Sequence, residues 1–569
     1  MSEPKMIHLT INHMPVEVPA GTRIIEAAQS IGIDIPHLCY HPDQSIKAHC
    51  RMCMVEVAGQ RKLLAACSTL VWDGMEVVTD SKRVYDAQVG VLDLILADHR
   101  QDCLACSRNN NCDLQNLCRR FNRLKPDLPD VSSQERPRLD NPSIVRDPSK
   151  CVKCGRCVKV CSEVQGIGAL SFTGRSADCK VTTAFDLPMN ETDCVLCGQC
   201  TLVCPVGALT EVDHTSHVRH ALHDSKKHVV VQIAPSVRVA LGDDFGLAPG
   251  ALVTGKMVTA LKMMGFEKVF DTNFAADLTI MEEGSELLER IQKGGRLPMI
   301  TSCSPGWVNF MEKHHPELIG NLSTAKSPQG MFGAVLKTYY AQRMGWDPKD
   351  IFSVSVMPCT AKKFEATRPE LGRDGYQDVD VVLTTRELAK LIRYEGLNPV
   401  NLPESDFDDP LGTGSGAGAI FGAAGPGMGL PIKMQFAINV CGLPKILWAA
   451  FRAAIDKLRG VRGTFYRIAG LEVSGLDGFY GEDIPEYEHM GVRIPENPAG
   501  VCDEIFEKTG ILSMIVDAND LNVEMLGHCS RLNESDEALL DLIRDNPAGQ
   551  DRQLTPFILI RPLPEEQAE

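Results

Sequence analysis

Apolar and polar residues alternate through Met6–Ile11 and again through Met14–Val18, on either side of Asn12-His13, which predicts a β-hairpin. An amphipathic helix follows near Thr22–Ile31, and an apolar helix is predicted at Val91–Ala97. Pro, Ser and charged residues crowd Pro126–Pro148, as in a linker. From about His228 the pattern changes. Short apolar runs at Val229–Ile233, Met299–Thr301, Ile351–Met357 and Val379–Thr384 alternate with helical segments, an α/β layout with ligand loops at strand ends. Three such loops stand out: Gln232-Ile-Ala-Pro-Ser236, Thr301-Ser-Cys-Ser-Pro-Gly-Trp307 and Met357-Pro-Cys-Thr-Ala-Lys-Lys-Phe-Glu365. The longest apolar stretches, such as Ile446–Ile455, are too short to span a bilayer.

A chain of 569 residues accommodates about three or four domains, and 44% hydrophobic residues supply their cores. A net charge of −16 without a Lys/Arg-rich run argues against nucleic acid as a partner. The start, MSEPKMIHLT, lacks an apolar signal core. Twenty-two cysteines then read as metal ligands in a reducing cytoplasm, not as a disulfide framework.

The cysteine spacing is specific. Cys151, Cys154, Cys157, Cys161 and Cys194, Cys197, Cys200, Cys204 form two C-x2-C-x2-C-x3-C runs, the second followed by Pro205, as in two-cluster 4Fe–4S ferredoxins. The fourth cysteine of each run serves the other cube. One cluster therefore takes Cys151, Cys154, Cys157 and Cys204, and the other Cys194, Cys197, Cys200 and Cys161. A double zinc site also uses paired Cys-x2-Cys but has no use for triplets. Cys39, Cys50, Cys53 and Cys67 suit a 2Fe–2S loop, and His99, Cys103, Cys106 and Cys112 a 4Fe–4S cluster with one imidazole ligand or, alternatively, zinc. Neutral imidazole makes a cluster less negative and favours its reduction. Cys118 reads as a spare thiol. Fifteen cysteines and one histidine thus serve one 2Fe–2S and three 4Fe–4S clusters.

At these motifs, and at MPCTAKKFEA, the chain resembles the iron-only (FeFe) hydrogenases in their long, multi-cluster form, from residue 1 to about 424. The resemblance implies an α/β multidomain chain: a plant-type 2Fe–2S domain of β-grasp fold over 1–85, a one-His/three-Cys cluster domain over 86–125 and a two-cluster ferredoxin domain over 145–212. An iron-only hydrogenase large-subunit domain over 226–424 and an α+β segment over 426–569 complete it. The family's active site, the H-cluster, joins a 4Fe–4S cube to a diiron centre carrying CO and cyanide. By resemblance Cys359 is a cube ligand, Lys362 hydrogen-bonds a cyanide, and Ala234, Pro235, Ser236 and Met357 line the diiron pocket. Cys303 relays protons through Glu283, Ser323 and Glu286 to Arg290. The alternative for those carboxylates is a solvated helix face over Glu282–Arg290. The resemblance also implies flavin/NAD(P)-binding and 2Fe–2S partner subunits, or ferredoxin, and a cytoplasmic location.

The sequence departs from the family in two places. Ser304 stands where a cube ligand is expected, and a hydroxyl is a poorer iron–sulfur ligand than thiolate. The family's Cys-x3-Cys near the C-terminus is absent; Cys441, Cys502 and Cys529 lie far apart. After the Gly/Pro-rich junction Ala424-Gly425-Pro426-Gly427, Gly463-Thr-Phe-Tyr-Arg-Ile-Ala-Gly470, Ile515–Leu521 and Asp545–Gln550 are similar to glutamate ligases acting on the deazaflavin coenzyme F-420. Asp517, Asn519 and Asp520 offer oxygen ligands there, or cap a strand-end turn. Three expectations follow. The first is an electron-carrying iron–sulfur subunit with a degraded H-cluster site. The second is an active hydrogenase with divergent ligands, and the third a ligase fused to a redox module.

Overall fold

The computed structural model describes residues 5–410 and, further on, the backbone of five strands between 486 and 561. Strands β1 (Met6–Ile11) and β2 (Met14–Pro19) form the expected antiparallel hairpin. Asn12 and His13 both take positive φ, 48° and 66°, as a two-residue turn that matches strand twist requires. Helix α1 (Ile24–Ser30) buries Ile24, Ile25, Ala27 and Ala28. The sheet is completed by β3 (Met54–Val57), β4 (Leu64–Ala65) and β5 (Met75–Val78), in the order β2-β1-β5-β3-β4.

Helix α2 (Lys82–Ala97) begins well before the expected Val91, capped by Ser81 Oγ accepting from the Val84 amide (3.3 Å). Its first turns carry Lys82, Arg83, Tyr85 and Asp86 outward, so the apolar signal emerges only later. Helix α3 (Asp113–Arg120) follows. The expected linker is also shorter than Pro126–Pro148. Strand β6 (Ile144–Arg146) lies inside that span, and Asn141 and Ser143 are buried before it. Then come α4 (Arg156–Lys159), β7 (Ser171–Thr173), β8 (Lys180–Thr182), α5 (Gln199–Leu202) and β9 (Leu209–Glu211). Strand β6 pairs with β9, and β7 with β8.

Helix α6 (Thr215–Leu222) leads into an α/β domain: β10 (His228–Ile233), α7 (Val237–Ala240), α8 (Thr254–Met263), β11 (Lys268–Asp271), α9 (Asn273–Lys293), α10 (Pro305–His314), α11 (Pro328–Val335) and α12 (Ala341–Met344). It continues through β12 (Ile351–Val356), α13 (Ala361–Glu365), a short hairpin of β13 (Gly372–Arg373) and β14 (Tyr376–Gln377), β15 (Val381–Leu383) and α14 (Thr385–Tyr394). Its sheet, β11-β10-β12-β15, is all parallel, and ligand loops leave the carboxyl ends of such strands. Met299–Thr301 is not a strand. Pro298 and Pro305 confine the segment, and Ile300 makes one isolated bridge to Leu322. Conversely, β11 carries only Val269 and Phe270 as apolar residues, too short a run to signal a strand.

In the C-terminal part β16 (Glu486–His489) pairs with β17 (Val492–Pro495), and β18 (Leu512–Asn519) lies between β19 (Asn522–His528) and β20 (Phe557–Arg561), all antiparallel. Asp517 sits opposite Glu524 and Asn519 opposite Asn522, at a hairpin end. Asp520, Cys441, Cys502, Cys529 and the Gly463–Gly470 motif lie outside the described residues. No helix among the described residues is long and apolar enough to cross a membrane.

Fully buried Lys363 joins the α/β domain to α6. Its Nζ lies 2.9 Å from Glu387 and 2.7 Å from the Val382 carbonyl, and Glu387 accepts from the His214 amide (2.8 Å). Removing one partner of such a pair strands a charge in a low-dielectric interior. We therefore expect Glu387→Ala to destabilise the protein by about 3–5 kcal/mol, read as a lower midpoint in chemical denaturation; an unchanged midpoint counts against this role.

Candidate metal centres

The ferredoxin-like module brings its cysteines together across the two runs. Cys151, Cys154, Cys157 and Cys204 line one cavity of about 30 Å³ with Val152, Leu170, Val181 and Val206. Burial, and then neighbouring thiols, push the Cys154 thiol up to about 12; Cys204 is among those neighbours. Cys161 from the first run acts in the same way on Cys194, Cys197 and Cys200. Four sulfurs around an apolar void, with backbone amides of Lys153 and Arg156 directed at Cys151 and Cys154, fit an iron–sulfur cube. The two halves repeat each other: Gly155 and Gly198 both take φ 77° at the start of α4 and α5, a conformation that costs a side-chain-bearing residue about 1–2 kcal/mol.

Cys39, Cys50, Cys53 and Cys67 are all buried and hydrogen-bond one another. The bonds from Cys50 and Cys67 pull Cys39 far below the usual thiol range, and the same bonds push its partners up. His99, Cys103, Cys106 and Cys112 line a cavity of about 480 Å³ that also touches Cys118. Burial lowers His99, which keeps its imidazole neutral, and its buried Nδ1 has no hydrogen-bond partner. An orphaned ring nitrogen on a histidine that lines the same cavity as three cysteines fits the expected ligand set.

These centres adjoin. His49, beside Cys50, packs edge-on to Phe172 (5.4 Å between rings), and a Cβ on Gly155 would sit 3.1 Å from His49 Nδ1. Gln44 donates to the Arg156 carbonyl (3.1 Å). A Cβ on Gly207 would sit 2.5 Å from Cys106 Sγ, and Arg108 donates to the Cys204 carbonyl (2.7 Å). Both N-terminal modules thus meet the ferredoxin half built on Cys151, Cys154, Cys157 and Cys204. The other half meets the α/β domain. Thr360 Oγ1 donates to the Leu196 carbonyl (2.7 Å), and a Cβ on Gly198 would sit 2.8 Å from Thr360 Cγ2. Lys313 Nζ donates to the carbonyls of Asn190 (3.1 Å), Thr192 (2.5 Å) and Cys194 (2.7 Å).

In the α/β domain the expected residues gather at the strand ends. Ala234 and Met357 follow the paired residues Ile233 and Val356, with Pro235 and Ser236 half-buried beside them. Lys362 Nζ donates to the Cys303 carbonyl (2.9 Å) and pairs with Glu365 (3.0 Å), which accepts from Gln329 (2.9 Å). Sequence reasoning missed Glu365, Gln329 and Lys313. Glu365, three residues after Lys362 on one helix, was the one with a local signal.

Glu283 is buried, not on a solvated face, and burial pushes its carboxyl up to about 7. Ser323 donates to Glu286 (2.8 Å), as does Arg290 Nε (3.0 Å). Burial raises Glu286, but the bonds from Ser323, the Thr324 amide and Arg290 outweigh it and hold it below its usual value. Cys303 is 2% exposed, and burial raises its thiol to about 12. Among the described residues this domain holds two cysteines, Cys303 and Cys359, and Ser304 is buried at the start of α10. These residues do not furnish four thiolates for an H-cluster cube.

Family descriptions match in the same order along the chain: a 2Fe–2S iron–sulfur cluster binding domain (4–82), an NADH-ubiquinone oxidoreductase-G iron–sulfur binding region (88–126) and an NADH-quinone oxidoreductase subunit 3, ferredoxin-like domain (141–210). The C-terminal domain of the iron only hydrogenase large subunit matches 227–442, past the boundary expected at 424. The NADP-reducing hydrogenase subunit HndD of Solidesulfovibrio fructosivorans is 48% identical, over 83% of this chain and 79% of that protein. Iron hydrogenase 1 of Clostridium pasteurianum is 43% identical, over 73% of each. The mitochondrial NADH-ubiquinone oxidoreductase 78 kDa subunit of Candida albicans is 32% identical, over 37% of this chain and 29% of that protein.

Two outcomes test the geometry. Gly198→Ala strains the backbone and displaces Thr360, so we expect a loss of at least about 1–2 kcal/mol in denaturation; a neutral result contradicts the close approach. A carboxyl raised from 4.5 to about 7 on folding stabilises the fold fully below pH 4.5 and loses that contribution as pH rises to 7. Over that window wild type should lose on the order of 3 kcal/mol relative to Glu283→Gln, and parallel pH–stability curves would refute it.

Proposed function

This chain belongs to the iron-only hydrogenase family, and from that membership we propose that it is the iron–sulfur subunit of an NAD(P)- or ferredoxin-linked redox complex. In this reading one 2Fe–2S and three 4Fe–4S clusters carry electrons, with the ligands assigned by spacing. The observation that carries it is the contact pattern of the ferredoxin-like module: Gly155 and Gly207 face the two N-terminal sites, and Gly198 faces the Cys359 loop. Electrons enter by either N-terminal site, pass to the cluster of Cys151, Cys154, Cys157 and Cys204, then to that of Cys194, Cys197, Cys200 and Cys161. The fixed ammonium of Lys313 beside the Cys194 carbonyl favours the reduced, more negative form of this last cluster. The NADP-reducing activity in the name of the 48% identical relative supports a nicotinamide-linked assembly, in a compartment where thiols stay reduced.

The α/β domain has a second reading, interconversion of protons and dihydrogen, favoured by one observation. Cys303, Glu283, Ser323, Glu286 and Arg290 form a route from a buried thiol to the edge of the domain, which an electron carrier does not need. Near neutral pH Glu283 is poised to exchange a proton. Lys362, ion-paired with Glu365, donates to the Cys303 carbonyl. Against it stands the ligand set, with Cys359 and buried Ser304 in place of paired thiolates. The H-cluster, when bound, supplies the redox chemistry of dihydrogen; the described residues hold too few ligands for it. The similarity of 426–569 to coenzyme F-420 glutamate ligases rests on its short motifs alone.

Iron analysis of the reconstituted protein is expected to give about fourteen irons, from one 2Fe–2S and three 4Fe–4S clusters, without CO or cyanide infrared bands. Such bands together with dihydrogen evolution from reduced dye would establish the second reading instead. Far fewer irons, or zinc in their place, would overturn the four-cluster assignment.

A further inference from the structure

The site around His99, Cys103, Cys106 and Cys112 holds one thiol more than its cluster uses. Cys118 on α3 lines the same cavity of about 480 Å³. Burial pushes its thiol up to about 11, and the neighbouring Cys112 and Cys103 thiols add to the rise. The buried apolar positions of α3 are Leu114 and Leu117. Gln115, Cys118 and Arg119, spaced three and four apart on one face of the helix, form the strip beside them that lines the cavity. Two of these clamp the strip to the loop between Cys106 and Cys112. Gln115 accepts from the Asn110 amide (2.8 Å) and donates to the Asn109 side chain (3.0 Å), and Arg119 donates to the Asn110 side chain (2.9 Å). Cys118 sits between them on that face. His99 lines the same cavity, is 9% exposed, and its Nδ1 has no hydrogen-bond partner. Five candidate ligands thus share a cavity where a cube needs four. A free cysteine also serves as a small hydrophobe, and Cys118 packs against the core beneath it; that role alone leaves the cluster indifferent to its loss.

We propose that Cys118 is an exchangeable fourth ligand, so that the 4Fe–4S cluster held by Cys103, Cys106 and Cys112 is completed by either the His99 imidazole or the Cys118 thiolate. In the exchange one iron–nitrogen bond breaks and one iron–sulfur bond forms. The thiol proton passes to the freed imidazole nitrogen, and no electron moves. The proposal rests on the four-cluster reading above. Thiolate is the softer donor and the better match for iron–sulfur iron. The buried imidazole competes because it binds without creating a charge in the interior. The two ligands differ in charge, so the exchange changes the potential of the cluster: neutral imidazole favours the reduced form, and anionic thiolate opposes it. This happens where the His99 module meets the ferredoxin-like core, with Gly207 against Cys106. With Cys118 bound this entry is harder to reduce, and electrons favour the 2Fe–2S route.

The test uses the full chain reconstituted with iron and sulfide. Iron content, nitrogen ENDOR and a redox titration followed by EPR are compared in wild type, His99→Ala, Cys118→Ala and the double variant. Wild type should carry about fourteen irons and titrate at this cluster in two components, of which Cys118→Ala removes the lower. His99→Ala should keep about fourteen irons, lose the imidazole nitrogen coupling and retain only the lower component, with Cys118 protected from alkylation. The double variant should drop to about ten irons. Loss of about four irons in His99→Ala alone, or a Cys118→Ala titration identical to that of wild type, overturns the exchange. The second comparison decides the matter if His99→Ala fails to fold. A wild type without this cluster, or with zinc in its place, overturns the four-cluster reading and the exchange together.

Discussion

Three missing side chains hold this architecture together. Gly155, Gly207 and Gly198 lie where three separate modules touch the ferredoxin-like core: a Cβ would clash with Cys106 at Gly207 and with Thr360 at Gly198, and would sit tight against His49 at Gly155. Electron transfer between buried clusters needs close approach, and backbone approaches most closely where nothing projects from it. The repeated C-x2-C-G-x-C turn meets this need twice, because the same left-handed glycine that lets three thiolates face one cube also leaves the outer surface of the turn bare. In the proposed reading the ferredoxin-like module is therefore both a pair of cluster sites and the hub on which the others dock.

Polar groups fasten what the glycines bring near. Lys313 ties α10 to the loop around Cys194 through three carbonyls, and Lys363 and Glu387 join α13, α14 and the entry to α6. Each is a cation with full hydrogen bonding in a poorly solvated place, an arrangement that specifies one geometry more than it adds stability. Next to these ties the α/β domain keeps a set of residues with a different character. Glu283, Cys303, Lys362 and Glu365 are buried, interconnected, and in the case of Glu283 shifted toward neutral pH by burial. Buried titratable groups of this kind are unfavourable for a fold and cluster where chemistry occurs. Among the described residues of this domain they stand beside two cysteines, Cys303 and Cys359, too few for an H-cluster cube, and that is the central tension of the molecule.

How much of this is legible in the sequence depends on how local each signal is. The two ferredoxin runs, the hairpin at Asn12-His13 and the His99 cluster motif are patterns within a few residues, and their spacing alone carries the geometry. The crossed pairing of Cys204 with Cys151 is likewise written in the spacing. The linker and helix boundaries differ from the sequence pattern because polar residues at Ser81–Asp86 and Asn141–Ser143 hide structured backbone behind a surface-like composition. Met299–Thr301 looks like a strand by composition, but one partner bridge is all the surrounding prolines permit. Lys313, Gln329 and the three docking contacts are invisible in the sequence, because each joins residues more than thirty positions apart and none repeats a motif.

In the proposed wire both N-terminal centres converge on one ferredoxin cluster, and only the other faces the α/β domain. Pulsed EPR of the fully reduced protein reads this directly, through the relaxation enhancement that each paramagnetic cluster imposes on its neighbours. The cluster of Cys151, Cys154, Cys157 and Cys204 is expected to couple to the 2Fe–2S centre, to the His99 centre and to its ferredoxin twin, while the twin couples to neither N-terminal centre. Direct coupling of an N-terminal centre to the cluster of Cys194, Cys197, Cys200 and Cys161, or clusters that relax independently, would contradict it.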